Sequence, residues 1–216
     1  ATVTAAPDSG DGRVHLSVAN LSTMAHRAQE APATYATLSR IFADRRFFAV
    51  HLAIPARFGD EGAANHMRLT PHHGAAGADV FIYGMAGTGP FPARQDRRAS
   101  AAVARRHGIA EPILTQQADE AIAAGAFHND VVAVANETLL FAHEQAFADV
   151  PALLSTLAER VPGFCPLIVP AAAVPLDVAV KTYLFNAQLL TLPDGSTLLL
   201  APQDCAEHPA VSGWLT

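Results

Sequence analysis

The chain has 216 residues, of which 50% are hydrophobic and 16% charged, enough apolar surface for one substantial core and too much for a disordered polymer. Its net charge is −6, and of fourteen Lys and Arg residues only Lys181 is a lysine; the arginines stand singly or in pairs, and without a basic stripe nucleic-acid binding has no footing. No apolar run reaches the roughly 18 to 20 residues of a membrane helix, no signal peptide opens the chain, and Cys165 and Cys205 cannot build a disulfide framework, so a cytoplasmic protein is expected.

Taken in chain order, β-prone apolar runs and helical periodicity predict a strand over 13–20, a helix over 23–42 broken near Pro32, and strands over 46–52 and 80–83. Helices follow over 94–107 and 119–124, then strands over 131–134 and 139–141 joined by a hairpin turn at Ala135-Asn136-Glu137, where Asn tolerates unusual backbone angles. A helix over 150–161, a strand over 164–169, a helix over 176–184 and a strand over 197–200 complete the series. This is α/β grammar in a single domain, with no linker to divide it. From Val80 onward strand, helix and strand recur at intervals of roughly 50 residues, yet spacing alone leaves a doubly wound sheet equally admissible.

The densest chemistry is Phe58-Gly59-Asp60-Glu61-Gly62-Ala63-Ala64-Asn65-His66. Two carboxylates lie between glycines that let the backbone bend and a flat, charge-dense ligand approach. A guanidinium offers a planar fork of N–H donors to a carboxylate such as Glu61; the competing reading is that Asp60 caps a helix beginning at Glu61. Phe127-His128-Asn129-Asp130 precedes an apolar run, which would place His128 and Asp130 on one face of a strand entrance. An imidazole there can pass protons to a leaving amine and from an incoming water.

Other candidates weigh less. His66, His72 and His73 lack the Cys pairs or spaced histidines of a metal centre, so no metal is expected. Gly84-Met85-Ala86-Gly87-Thr88-Gly89 runs into Pro90 rather than into a helix with Lys and Ser or Thr, and reads as a plain loop. No nucleophile elbow of the serine hydrolases occurs, and Cys165 falls in an apolar strand pattern that suggests a core position.

Together these stretches resemble the N-succinylarginine dihydrolase family, guanidino-group-modifying enzymes of pentein fold. The likeness extends through Asp11-Gly12-Arg13-Val14-His15-Leu16, Val18-Ala19-Asn20-Leu21, His26-Arg27, Phe42-Ala43-Asp44 and Phe48-Ala49-Val50-His51. It continues at Pro92-Ala93-Arg94-Gln95, His143-Glu144-Gln145-Ala146-Phe147, Tyr183-Leu184-Phe185-Asn186 and Pro202-Gln203-Asp204-Cys205. The resemblance implies a partial pentein, a pseudo-symmetric α/β propeller of ββαβ units forming the central part of a longer catalytic domain truncated at both ends. It also implies conversion of N2-succinylarginine to N2-succinylornithine with release of two ammonia and carbon dioxide in arginine catabolism. By the same likeness Glu61 and His128 are catalytic, His26, Arg27, Arg94 and Asp130 bind substrate, no cofactor is needed, and the full-length protein is a homodimer. The family's nucleophilic Cys belongs to a segment beyond Thr216, and neither Cys165 nor Cys205 matches it, so this chain alone is expected to be inactive. Two alternatives stand beside this: a noncatalytic acylated-arginine-binding module or decayed copy, and an enzyme acting on another arginine derivative.

Overall fold

The computed structural model describes residues 1–85 and 91–216, and the glycine-rich stretch from Gly84 to Gly89 falls largely outside them. Among the described residues, eleven strands and eight α-helices are interspersed along the chain. β1 (Thr2–Thr4), β2 (Val14–Ser17), α1 (Ala25–Ala28), α2 (Glu30–Ile41) and β3 (Phe48–His51) make a first unit, with β2 antiparallel to β1 and parallel to β3. β4 (His66–Leu69), β5 (Ala78–Tyr83), α3 (Arg97–Arg106) and β6 (Ile113–Gln116) repeat that pairing. After α4 (Asp119–Ala123), β7 (Ala133–Asn136), β8 (Leu139–His143), α5 (Val150–Arg160) and β9 (Cys165–Val169) repeat it again. α6 (Leu176–Lys181) leads to an antiparallel pair, β10 (Gln188–Thr191) and β11 (Thr197–Leu200), followed by α7 (Gln203–Glu207) and α8 (Pro209–Leu215).

The sheet is therefore not doubly wound. Three separate three-stranded sheets share one order, each with a tight or looped antiparallel entry and a helical crossover to a parallel third strand. The repeat starts at Thr2 rather than near Val80, and the units open at Thr2, His66 and Ala133, farther apart than the sequence spacing suggested.

Burial explains which strands the sequence revealed. β5, in the middle of its sheet, has five of six residues buried, because α3 packs Ala99, Val103 and Ala104 against Phe81 on one face while Val80 and Ile82 join the core of the third unit on the other. β1 went unseen because its pattern is inverted: Thr2 and Thr4 are fully buried and Val3 faces out. In β4 the apolar Met67 and Leu69 alternate with His66 and Arg68, whose side chains reach Asp79 and Asp8. A third cluster of Phe141, Val169, Phe185, Cys205 and Val211 seats α7 and α8.

Several boundaries differ from expectation for identifiable reasons. The first helix breaks at Gln29, not at Pro32, which sits in the first turn of α2 where its missing N–H costs nothing. α3 starts at Arg97 because Asp96 caps it, accepting from the Arg98 amide at 2.6 Å. The β7–β8 turn is Glu137-Thr138, with Glu137 at φ 49°, while Asn136 remains in the strand. α6 ends at Lys181, short of Leu184, and Tyr183 adopts φ 54°. Cys165 is exposed rather than in the core.

Candidate functional site

The Asp60–Glu61 stretch forms no helix. Glu61 sits in an isolated antiparallel bridge with Asn20, the two backbones exchanging hydrogen bonds of 2.8 and 2.9 Å, and the Asn20 side chain ties down the carbonyls of Ile54 and Gly59. Of the two glycines only Gly59 needs its freedom, at φ 80°; Gly62 is extended. Asp60 caps nothing at Glu61. Its carboxylate turns back instead to the segment before α1, accepting from Ser22 Oγ (3.1 Å), the Thr23 amide (2.9 Å) and Thr23 Oγ1.

His128 and Asp130 flank Asn129, and Asn129–Val131 is a short 3-10 turn ahead of β7 rather than a strand entrance. The Asn129 amide donates to Asn65 Oδ1 at 2.9 Å, so the turn is moored to the end of the Glu61 loop. Asn65 Nδ2 and the Gly62 amide both donate to Gln95 Oε1, at 3.2 and 3.3 Å, and Gln95 Nε2 donates to Ser100 on α3. These buried amides carry the geometry between two loops remote in sequence.

The result is a cavity of about 310 Å³ whose wall includes Arg27, Asp60, Glu61, Asn65, His128 and Asp130. Glu61 is 1% exposed. Thr2 Oγ1 donates to its Oε1, while Oε2 has no partner among the described residues. Burial pushes its carboxyl up to about 7, against the pull of the Thr2 hydroxyl. Burial and then the Arg94 charge lower His128 to about 4, leaving the imidazole neutral near pH 7. Burial likewise raises Asp130 to about 6, opposed by the Asn186 side chain. Asp130, Ala63 and Ala64 also form part of a second cavity of about 470 Å³.

Four of the six residues singled out in the sequence thus line one cavity: Arg27, Glu61, His128 and Asp130. His26, exposed beside Arg27 on α1, does not. Arg94 is half-buried, its guanidinium 4.4 Å from the centre of the Phe127 ring and its carbonyl accepting from the Asp60 amide. Neither cysteine lines the cavity, Cys205 being buried with its thiol against the Thr182 carbonyl. His66 is 2.7 Å from Asp79, and His73 faces Glu137 at 3.6 Å. Thr2, Asn65 and Gln95 were given no role from sequence; the Thr-x-Thr alternation of β1 was the one signal for the first of them.

The succinylarginine dihydrolase family model matches residues 1–216. N-succinylarginine dihydrolases from Novosphingobium aromaticivorans and Erwinia tasmaniensis are 57% and 48% identical over the whole chain, which covers 51% of each. That from Rhizorhabdus wittichii is 56% identical over 98% of the chain and 50% of its own length. The chain spans about half the length of the curated relatives it matches. Among solved structures, the product-bound N-terminal domain of ArgZ, a cyanobacterial arginine dihydrolase of the ornithine-ammonia cycle, superposes with TM-score 0.52 at 19% identity, covering 85% of this chain and 56% of that one. A substrate-bound variant of the same domain gives 0.54 at 17% identity over 97% and 69%, a likeness of fold. With its whole length matched by one family model and by relatives of that single description, the chain belongs to the succinylarginine dihydrolase family.

Proposed function

We propose that these residues form the guanidinium-reading part of an enzyme that hydrolyses N2-succinylarginine to N2-succinylornithine, two ammonia and carbon dioxide. The observation that carries this reading is the buried Glu61 carboxylate, one oxygen held by Thr2 and the other without a partner among the described residues, in a cavity that also takes in His128, Asp130 and Arg27. An acceptor left unpaired in a buried wall favours a ligand that brings its own donors. In this reading Glu61 accepts two guanidinium N–H groups, and Asp130 accepts from a terminal nitrogen. Arg27 pairs with a carboxylate at the other end of the substrate, with His26 beside it. Burial, with the charge of Arg94 stacked on Phe127 second to it, keeps His128 neutral and able to take a proton.

The chemistry follows the family's covalent route. His128 takes the proton of a thiol as its sulfur attacks the guanidinium carbon and passes that proton to the nitrogen that leaves as the first ammonia; the neutral imidazole so restored deprotonates the water that hydrolyses the adduct. A second cycle releases the remaining nitrogen and carbon dioxide. Cys165 and Cys205 both lie off the cavity wall, so the thiolate is taken to come from residues outside these 216, in a protein of the relatives' length. The three ββαβ units would be blades of a pentein ring around the cavity, in a cytoplasmic homodimer.

Calorimetry and an ammonia assay on the 216-residue chain test this together. Binding of N2-succinylarginine without ammonia release is expected. Ammonia release would overturn the assignment of the thiolate, and absence of binding would overturn the assignment of the cavity.

A further inference from the structure

Asp60 is 2% exposed, adjoins Glu61 and lines the same cavity, yet its carboxylate is spent on the chain rather than turned to a ligand. All three of its donors, Ser22 Oγ, the Thr23 amide and Thr23 Oγ1, belong to the turn that enters α1. That turn needs an external hold. Ala25–Ala28 is a single helical turn with no side-chain cap and no buried residue, too short to be stable by itself. Its Arg27 amide and Ala28 amide both bond to the carbonyl of Met24, within the same segment. A carboxylate taking three hydrogen bonds, two of them from one residue, is a strong and directional anchor for such a piece.

We infer that Asp60 is a positioning residue that clamps the 22–28 segment to the Glu61 loop, fixing the distance between the group that reads the guanidinium and Arg27, which reads the substrate's carboxylate end. The inference rests on the reading of Arg27 and Glu61 given above. Consecutive residues thereby divide the work: Glu61 meets one end of the ligand, and Asp60 sets where the other end is met. The clamp acts on substrate length and charge, not on the reaction at carbon.

The test uses the full reading frame that contains these residues and two ligands: N2-succinylarginine as substrate, and ethylguanidine, which has the guanidinium and neither carboxylate, as competitive inhibitor. Asp60→Ala should raise KM for N2-succinylarginine about tenfold to a hundredfold, with kcat and the inhibition constant of ethylguanidine within severalfold of wild type. Asp60→Asn, whose remaining oxygen still accepts from the Thr23 amide and Ser22, should restore most of the affinity. Equal loss towards both ligands, or unchanged KM, would overturn the clamp. If Asp60→Ala does not fold, Ser22→Ala with Thr23→Val removes the two hydroxyl donors and is judged by the same criteria. Arg27→Ala separates the two claims. A KM effect in Asp60→Ala but none in Arg27→Ala removes Arg27 from substrate recognition and leaves the clamp acting through another group of the segment. The reverse removes the clamp alone.

Discussion

At the scale of single residues, the unusual fact is a glutamate whose carboxyl is raised to about 7 in the place where, on the proposed reading, a cation binds. Glu61, with its carboxyl raised to about 7 by burial, must ionise to hold a guanidinium, so binding below that pH releases a proton. Affinity for N2-succinylarginine should therefore climb as pH rises through 7 and level off above it. Calorimetry in buffers of different ionisation enthalpy checks the proton release. In Glu61→Gln the climb should vanish and affinity fall by about 1.5 to 3 kcal/mol, the worth of a charged hydrogen bond; a surviving pH slope would assign it to Asp130, raised to about 6. His128 behaves oppositely, since its lowered value of about 4 keeps it neutral over the working range. His128→Ala in the full reading frame should reduce kcat about a hundredfold or more. A rate near that of wild type would leave the imidazole without a part in proton transfer.

At the scale of elements, Asn65 joins the two loops that bear these groups, accepting from the Asn129 amide and donating to Gln95. Asn65→Leu leaves a buried amide N–H without an acceptor, a loss of about 1 to 3 kcal/mol. It should lower Tm and kcat together, whereas a fall in Tm with kcat intact would separate the mooring from the chemistry. Such elements also show what the sequence could and could not disclose. β5 and β8 were legible because strands covered on both faces must be continuously apolar. β1 was illegible because its inward face is two threonines satisfying Glu61 and His107, a polar interior that periodicity reads as surface. Glu61 and His128 could be named from residue type and from family likeness. That Asp60 serves the Arg27 segment could not, because the partner lies 37 residues away and a carboxylate before a short turn resembles a cap.

At the scale of the molecule, the first unit is bound to the second through imidazoles. His15 and His51 stack at 5.1 Å, and His107 of the second unit's helix end lies 5.3 and 5.4 Å from them, bonded to Thr4 and Ser17. Burial and the neighbouring histidines lower His107 to about 3 and, with Arg106 and Arg13 nearby and Asp11 opposing, lower His51 to about 4. Groups depressed below their free value of 6.5 lend stability that is whole above pH 6.5 and is lost as pH falls through about 4 to 3. Acid unfolding should therefore be steep in that window, and His107→Gln should flatten it, as followed by circular dichroism; an unchanged acid limb would exclude the cluster. The repeat has one more consequence. Glu61 and His128 stand in the connections between successive units, whereas Arg27 stands inside the first, between β2 and α2. On the proposed reading, the reactive groups and the reader of the substrate's tail thus occupy separately exchangeable pieces of chain. If that reading holds, rewriting residues 22–28 in the laboratory should redirect the site to a guanidine with a different tail while leaving Glu61 and His128 in place.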